Sequence, residues 1–242
     1  MGPIDRFLPA ALAAGLSATG CSRDGSGARP SSLPEVVLRV EGEAISRTEI
    51  EALASYLALD HPTHATDLLR STALARSLLP RAIAFATYRD RTEAARERIG
   101  RAKARLEAGE AFELVAKDLS DAAPEKGGDA GWITRLDLDP LLGIEAFSAP
   151  VGEVRGPIPT PVGFSLIRVS ERREDPRPGF SSVRLHQIAA GFEPQPKTLR
   201  ELGRLLETAR IEVLDPPFFD RIRPPGLAFR YAAPASRPSS GS

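Results

Sequence analysis

Three glycines in five residues, Gly127-Gly128-Asp129-Ala130-Gly131, run straight into Trp132 and divide the chain into two textures. Ahead of them apolar residues recur at helical spacing. Behind them the pattern shortens to brief apolar runs separated by Pro and Gly. Glycine enters positive φ without steric cost, so the cluster marks a tight turn rather than the interior of an element. It lacks the GxxxxGK[ST] spacing of a phosphate loop and does not follow a strand, which argues against nucleotide binding. A chain built this way folds as helices packed on a small antiparallel sheet, an α+β arrangement.

The helical half begins after a strand at Val36 to Glu41 and a turn at Gly42. Ser46-Arg47-Thr48-Glu49 is a capping box that opens a helix carrying Ile50, Leu53, Tyr56 and Leu57 on one face. His61-Pro62-Thr63-His64 breaks it. The two histidines are read as solvated turn residues, with no third metal ligand nearby. A second helical pattern runs through Leu68, Leu69, Leu74, Leu78 and Leu79, with Pro80 as its kink or stop. Arg91 to Leu106 is charged and helical, and Ala111 to Leu119 forms the next helix. After the glycine turn come a short helix from Asp137 to Phe147 and strands at Val154 to Ile158 and Phe164 to Val169.

Charge and rare residues narrow the chemistry. Lys+Arg and Asp+Glu are both 32, and no basic stripe is visible, so nucleic acid is not an expected partner. With one cysteine, Cys21, the chain forms no internal disulfide and no cysteine zinc site. Neither a metal nor a cofactor is expected.

At the amino terminus, Phe7 to Thr19 is an apolar run of small residues too short to span a membrane. It reads as a secretory signal, and Ala18-Thr19-Gly20-Cys21 resembles a bacterial lipobox, which implies lipidation of Cys21. The alternative is an ordinary signal peptide with an incidental thiol. Residues 1–21 are thus an address and 22–34 a flexible tether. Residues 223–242, rich in Pro, Ser, Ala and Gly, read as a disordered tail.

The middle of the chain resembles the parvulin-type peptidyl-prolyl isomerases, through a series of motifs in order. Leu106-Glu107-Ala108-Gly109-Glu110-Ala111-Phe112 resembles the family's helix end and "G-x-x-F" start, and Leu119-Ser120-Asp121 precedes the loop. Gly127 to Trp132 resembles "GGDLG-aromatic". Glu145-Ala146-Phe147, Val151-Gly152-Glu153-Val154 and Gly156-Pro157 resemble "AAF…VGEVSGPV". Gly163-Phe164-Ser165-Leu166-Ile167-Arg168-Val169 resembles "GYHIIKV". The flanks resemble those of parvulin-containing envelope chaperones, whose amino-terminal strand and helices pack with a carboxy-terminal helix and strand. On this resemblance residues 81–173 are the parvulin-like domain. Residues 35–80 and 174–222, the latter with Thr198 to Leu206 and Ala209 to Val213, form a mostly helical second module.

The resemblance implies a folding factor for exported proteins that isomerises X–Pro bonds weakly, or a catalytically silent chaperone or assembly lipoprotein with the same fold. Its partners are unfolded or proline-containing polypeptide and, through the anchor, a membrane facing the periplasm. It implies an apolar cup lined by Ala130, Leu138, Leu142 and Phe147, with Asp121 and Ser165 as the polar candidates. The family also places a histidine on its first strand and another on its last, around a polar cysteine or aspartate. Here the last-strand position holds Ser165, Ala122 stands near the polar position, and Arg81 to Tyr88 offers no histidine, whether strand or helix. Val183 to Ile188, with His186, has two readings: a histidine-bearing first strand docked from the carboxy-terminal side, or the preferred one, an amphipathic helix from Ser181 onward.

Overall fold

The first helix shows how closely local sequence and local structure agree. In the computed structural model, which describes residues 35–177, 179–192, 199–225 and 231–232, the Ser46 Oγ accepts from the Glu49 N–H at 3.1 Å and the Glu49 carboxylate accepts from the Ser46 N–H at 3.0 Å. This reciprocal cap satisfies two orphan donors and starts α1 (Arg47–Ala58). The helix buries Ile50, Leu53, Ala54, Tyr56 and Leu57. The signal segment, Cys21 and the tether lie outside the described residues.

Strands β1 (Val36–Val40) and β2 (Glu43–Ser46) form a hairpin whose turn residues, Glu41 and Gly42, both have positive φ, as a two-residue primed turn requires. After α1 come α2 (Thr66–Ala73), a π-helical turn (Leu74–Leu78) and α3 (Leu79–Thr87) in one continuous run. Pro80 therefore does not end the helix. Leu79 donates to the Leu74 carbonyl five residues back, and this widened turn sits where the proline ring would otherwise meet the preceding turn. Arg81 to Thr87 is helical, which decides that open question: Ala82, Ile83, Ala84 and Phe85 are all buried, as suits a helix enclosed by protein rather than a half-exposed strand.

Helices α4 (Arg89–Glu107) and α5 (Phe112–Leu119) follow, then β3 (Asp129–Thr134), α6 (Pro140–Ser148), β4 (Val154–Thr160) and β5 (Gly163–Arg173). The preferred helix from Ser181 does not form. Ser182–Gly191 is a ten-residue strand, β6, lying between β5 and β3 in an antiparallel sheet of order β3-β6-β5-β4. Tertiary burial outweighs the local pattern here. Val183 and Leu185 enter the cluster beneath α6, whereas Ile188, Ala190 and Phe192 enter the cluster beneath α4 and α5. The buried face switches between Leu185 and Ile188, so the period-two alternation slips phase midway and no single strand pattern spans the segment.

The remaining elements return to the first sheet. Helix α7 (Leu199–Thr208) leads to β7 (Ile211–Val213), which pairs antiparallel with β1, and α8 (Pro216–Ile222) follows. Tyr231–Ala232, inside the stretch read as a disordered tail, form β8 parallel to β7. The other tail residues after Pro225 lie outside the described residues. The two sheets share a core: Val37, Leu38 and Val213 belong to the same apolar cluster as Phe164, Leu166 and Ile188.

Candidate functional site

A pocket of about 140 Å³ opens at one end of the second sheet, where the β4–β5 turn, the end of β6 and the loop after α5 converge. Its lining includes Asp121, Ala122, Leu142, Val162, Ser165 and Gln187. Side-chain alternation builds its floor. Ser165 and Ile167 on β5 face the same side as Gln187 and Ala189 on β6, because Ser165 pairs with Ala189 and Ile167 with Gln187. At the mouth, β5 and β6 approach so closely at Gly163 and Gly191 that a Cβ on Gly163 would stand 2.1 Å from the Ala190 carbonyl oxygen. Only glycine permits that contact.

The loop wall is stitched to β6 by polar contacts. The Ser120 Oγ accepts from the Ala189 N–H at 3.1 Å and from the Ala122 N–H at 3.0 Å, and donates to the Ala122 carbonyl at 2.9 Å. The Asp121 N–H donates to the Ala189 carbonyl at 2.8 Å. The Asp121 carboxylate accepts from the Gly191 N–H at 2.7 Å and pairs with Arg98 on α4. Asp121 lines the pocket with its charge already matched. On the floor, Gln187 Nε2 donates to the Ser165 Oγ at 2.9 Å, and Ser165 is 3% exposed.

Of the residues proposed from sequence, the fold thus gathers Asp121, Ser165 and Leu142 at this pocket. Leu138, Phe147 and Ala130 are not among its lining residues. Leu138 belongs to the apolar cluster under α6 and borders a separate cleft of about 410 Å³ beside α1 and α7. Phe147 packs against that cluster with the Arg135 guanidinium 4.2 Å from its ring centroid. Ala130 is exposed on β3, at the irregularity between the Asp129–His186 and Gly131–Leu185 pairs.

His186 sits on β6 but on the opposite face from the pocket. It pairs with Arg168, and its ring meets Phe112 edge-on at 6.2 Å. Burial, followed by the Arg168 charge, pushes its imidazole below the ordinary histidine range despite the nearby Asp129 and Glu113. Asp129 accepts from the Gly131 N–H at 2.8 Å and pairs with Arg184 at 2.8 Å, the behaviour of a turn residue. Trp132 stacks under Arg173, 3.5 Å from ring centroid to guanidinium. The sequence reading missed Gln187. The signal was available in its step of one from His186, which sends adjacent strand side chains to opposite faces, but only once the segment is known to be a strand.

Comparison with known proteins turns on this sheet. The PPIC-type PPIase domain, or rotamase, model matches residues 80–171. Residues 80–171 form a parvulin-type domain. Chaperone SurA of Chromobacterium violaceum is 38% identical over 96 residues, covering 39% of this chain and 22% of that protein. Foldase protein PrsA of Bacillus subtilis is 38% identical over 71 residues, 28% of this chain and 24% of that protein. Foldase protein PrsA of Geobacillus kaustophilus is 29% identical over 132 residues, 51% of this chain and 45% of that protein. The chain thus spans less than half the length of each of these relatives. No solved structure matches the chain significantly.

The matched segment ends before β6 begins. The sheet that carries its strands β3, β4 and β5 also includes β6, which lies between β3 and β5 and comes after the matched segment in the chain. Gln187, and not the His186 candidate, faces Ser165, which stands at the last-strand histidine position of the resemblance, and Ala122 shares the same lining. Among the described residues no cluster of potential metal ligands occurs, and no helix is long and apolar enough to cross a membrane.

Proposed function

We propose that the protein binds proline-containing segments of unfolded polypeptide in the 140 Å³ pocket of its parvulin domain and isomerises their X–Pro bonds weakly. The pocket itself carries the reading. Cavities of about 150 Å³ accommodate a single benzene-sized ring, and a proline ring is of that class. Rotation about X–Pro requires the amide to lose its double-bond character, against a barrier of about 18–20 kcal/mol, and needs no nucleophile or cofactor. It needs a desolvated recess that favours the twisted amide over the planar one. Leu142, Val162 and the backbone of Gly163 and Gly191 supply apolar and close-packed walls, and Ser165 and Gln187 an uncharged polar floor.

The relatives' names, chaperone and foldase, favour a role in folding. The apolar amino-terminal run and Cys21 favour export and lipid anchoring in the cell envelope, with the folded part facing the periplasm. The absence of an imidazole from the pocket's described lining favours a second reading, in which the fold binds polypeptide without catalysis.

The test is prolyl cis/trans exchange of short X–Pro peptides, with binding followed in the same samples. Acceleration that falls in Leu142→Ala while the fold persists supports the isomerase. Binding at the pocket without acceleration selects the silent form, and neither binding nor acceleration refutes both.

A further inference from the structure

Resting on the prolyl-binding reading, we propose that Gln187 is a positioning residue that turns the Ser165 hydroxyl into the hydrogen-bond donor for the twisted prolyl amide. A serine hydroxyl carries one hydrogen and two acceptor lone pairs. Gln187 Nε2 donates to the Ser165 Oγ at 2.9 Å and occupies one of those lone pairs. The hydroxyl hydrogen must then point away from the glutamine, and among the described residues Ser165 donates to no protein acceptor. Ser165 lines the pocket, on the strand face shared with Ile167 and Ala189, and the Asp121 carboxylate in the same lining is already matched by Arg98 and the Gly191 N–H. The pocket is the direction left open to the hydrogen.

A donor held there distinguishes the states of the substrate. In a planar X–Pro amide the nitrogen lone pair is delocalised into the carbonyl and accepts poorly. As the bond twists, the lone pair returns to nitrogen and becomes an acceptor. A preorganised donor in a desolvated recess therefore binds the twisted state more strongly than either planar isomer, which lowers the barrier. No covalent bond forms or breaks, and the proton stays on Ser165 throughout. The pair uses no charge, unlike an imidazole pair, so its action carries no dependence on pH near neutrality.

Gln187→Glu in the full chain tests this, because glutamate keeps the shape and makes the donor conditional. Protonated, the introduced carboxyl gives its O–H to the Ser165 Oγ as the amide gives its N–H. Ionised, it only accepts, and it draws the Ser165 hydrogen away from the substrate. The readout is the exchange rate of an X–Pro peptide between about pH 3.5 and pH 7, a span that brackets the ordinary glutamate value of about 4.3, with peptide affinity measured alongside. The unsubstituted protein is expected to be flat across this range. Gln187→Glu should approach its rate at the acid end and fall by about 10-fold as the carboxyl ionises, with affinity little changed. Ser165→Ala should be about 10-fold slower at every pH, and adding Gln187→Glu to it should cost nothing more. Gln187→Met, which removes the donor without adding charge, should lower the rate at all pH values and guards against misfolding of the glutamate variant.

A flat Gln187→Glu profile at the unsubstituted rate overturns the proposal, since Ser165 then donates to the glutamine carbonyl. An unimpaired Ser165→Ala overturns it as well. In both cases a catalysing unsubstituted protein leaves the prolyl isomerase reading standing. An unsubstituted protein that neither accelerates exchange nor binds peptide overturns both together.

Discussion

If β6 is a working part of the parvulin domain, truncating its apolar side chains must cost what core truncations cost. Leu185 and Ile188 are both fully buried, Leu185 among the side chains under α6 and Ile188 among those under α4 and α5. Leu or Ile to Ala at such sites removes about 2–5 kcal/mol, through lost transfer energy and the cavity left behind. Taking about 3 kcal/mol, and about 2–4 °C per kcal/mol for a domain of this size, the melting temperature of Leu185→Ala should drop by roughly 6–12 °C. The same loss is expected for Ile188→Ala, although its side chain points to the other face. An amphipathic helix would also bury Leu185 and Ile188 together, since residues three apart share a helix face. Val183→Ala decides between the two: Val183 and Leu185 are both fully buried on one face of the strand, whereas residues two apart lie on opposite faces of a helix. Urea unfolding followed by the fluorescence of Trp132 is the direct assay, because it is the single tryptophan and lies on β3, whose sheet partner is β6. A cost below about 1 kcal/mol at either site, outside the range for a buried position, would refute the placement of this strand.

Three further outcomes follow from the same geometry. Gly128→Ala should destabilise the fold by more than about 2 kcal/mol, since its φ is +79° and a Cβ would stand 2.5 Å from the Gln187 carbonyl oxygen; thermal melting checks it. Asp121→Asn should weaken the tie between the pocket loop and β6 by about 1 kcal/mol, a modest figure because the Arg98 pair is partly solvent-screened. Hydrogen exchange at the Gly191 amide should rise with it. Burial alone would raise the Glu49 carboxyl, but Arg81 and the Ser46 N–H and O–H outweigh burial and hold it below the usual range. Its contribution is therefore present above the unfolded value of about 4.3 and lost as pH falls through the lower folded value. Glu49→Gln, which can still cap, should be less stable at neutral pH, and the gap in urea midpoints should close below about pH 4.

Local rules made much of the molecule legible. The capping box at Ser46 and Glu49 starts its helix because both partners lie within one turn of each other. The glycines from Gly127 to Gly131 turn the chain into β3 because their positive φ values are open only to glycine at low cost. Motif order was enough to recognise the parvulin segment, and the Ser120-Asp121 loop, Leu142 and Ser165 do meet at one pocket.

What sequence could not decide depended on contacts distant along the chain. Pro80 stays within a continuous helix because the preceding turn widens to a π-turn inside a packed core, and no local propensity announces that. The resemblance groups Leu138 and Phe147 with Leu142 in one cup, whereas in the fold Leu138 borders the cleft beside α1 and α7 and Phe147 lies against Arg135. The widest gap is β6. Its buried residues alternate on one face at Val183 and Leu185 and on the other at Ile188 and Ala190, so the alternation that marks a strand slips phase at His186-Gln187 and no single face runs its length. That single assignment also decides the site. A strand sends His186 to one face and Gln187 to the other, and only the tertiary pairing with β5 says which of them reaches the pocket.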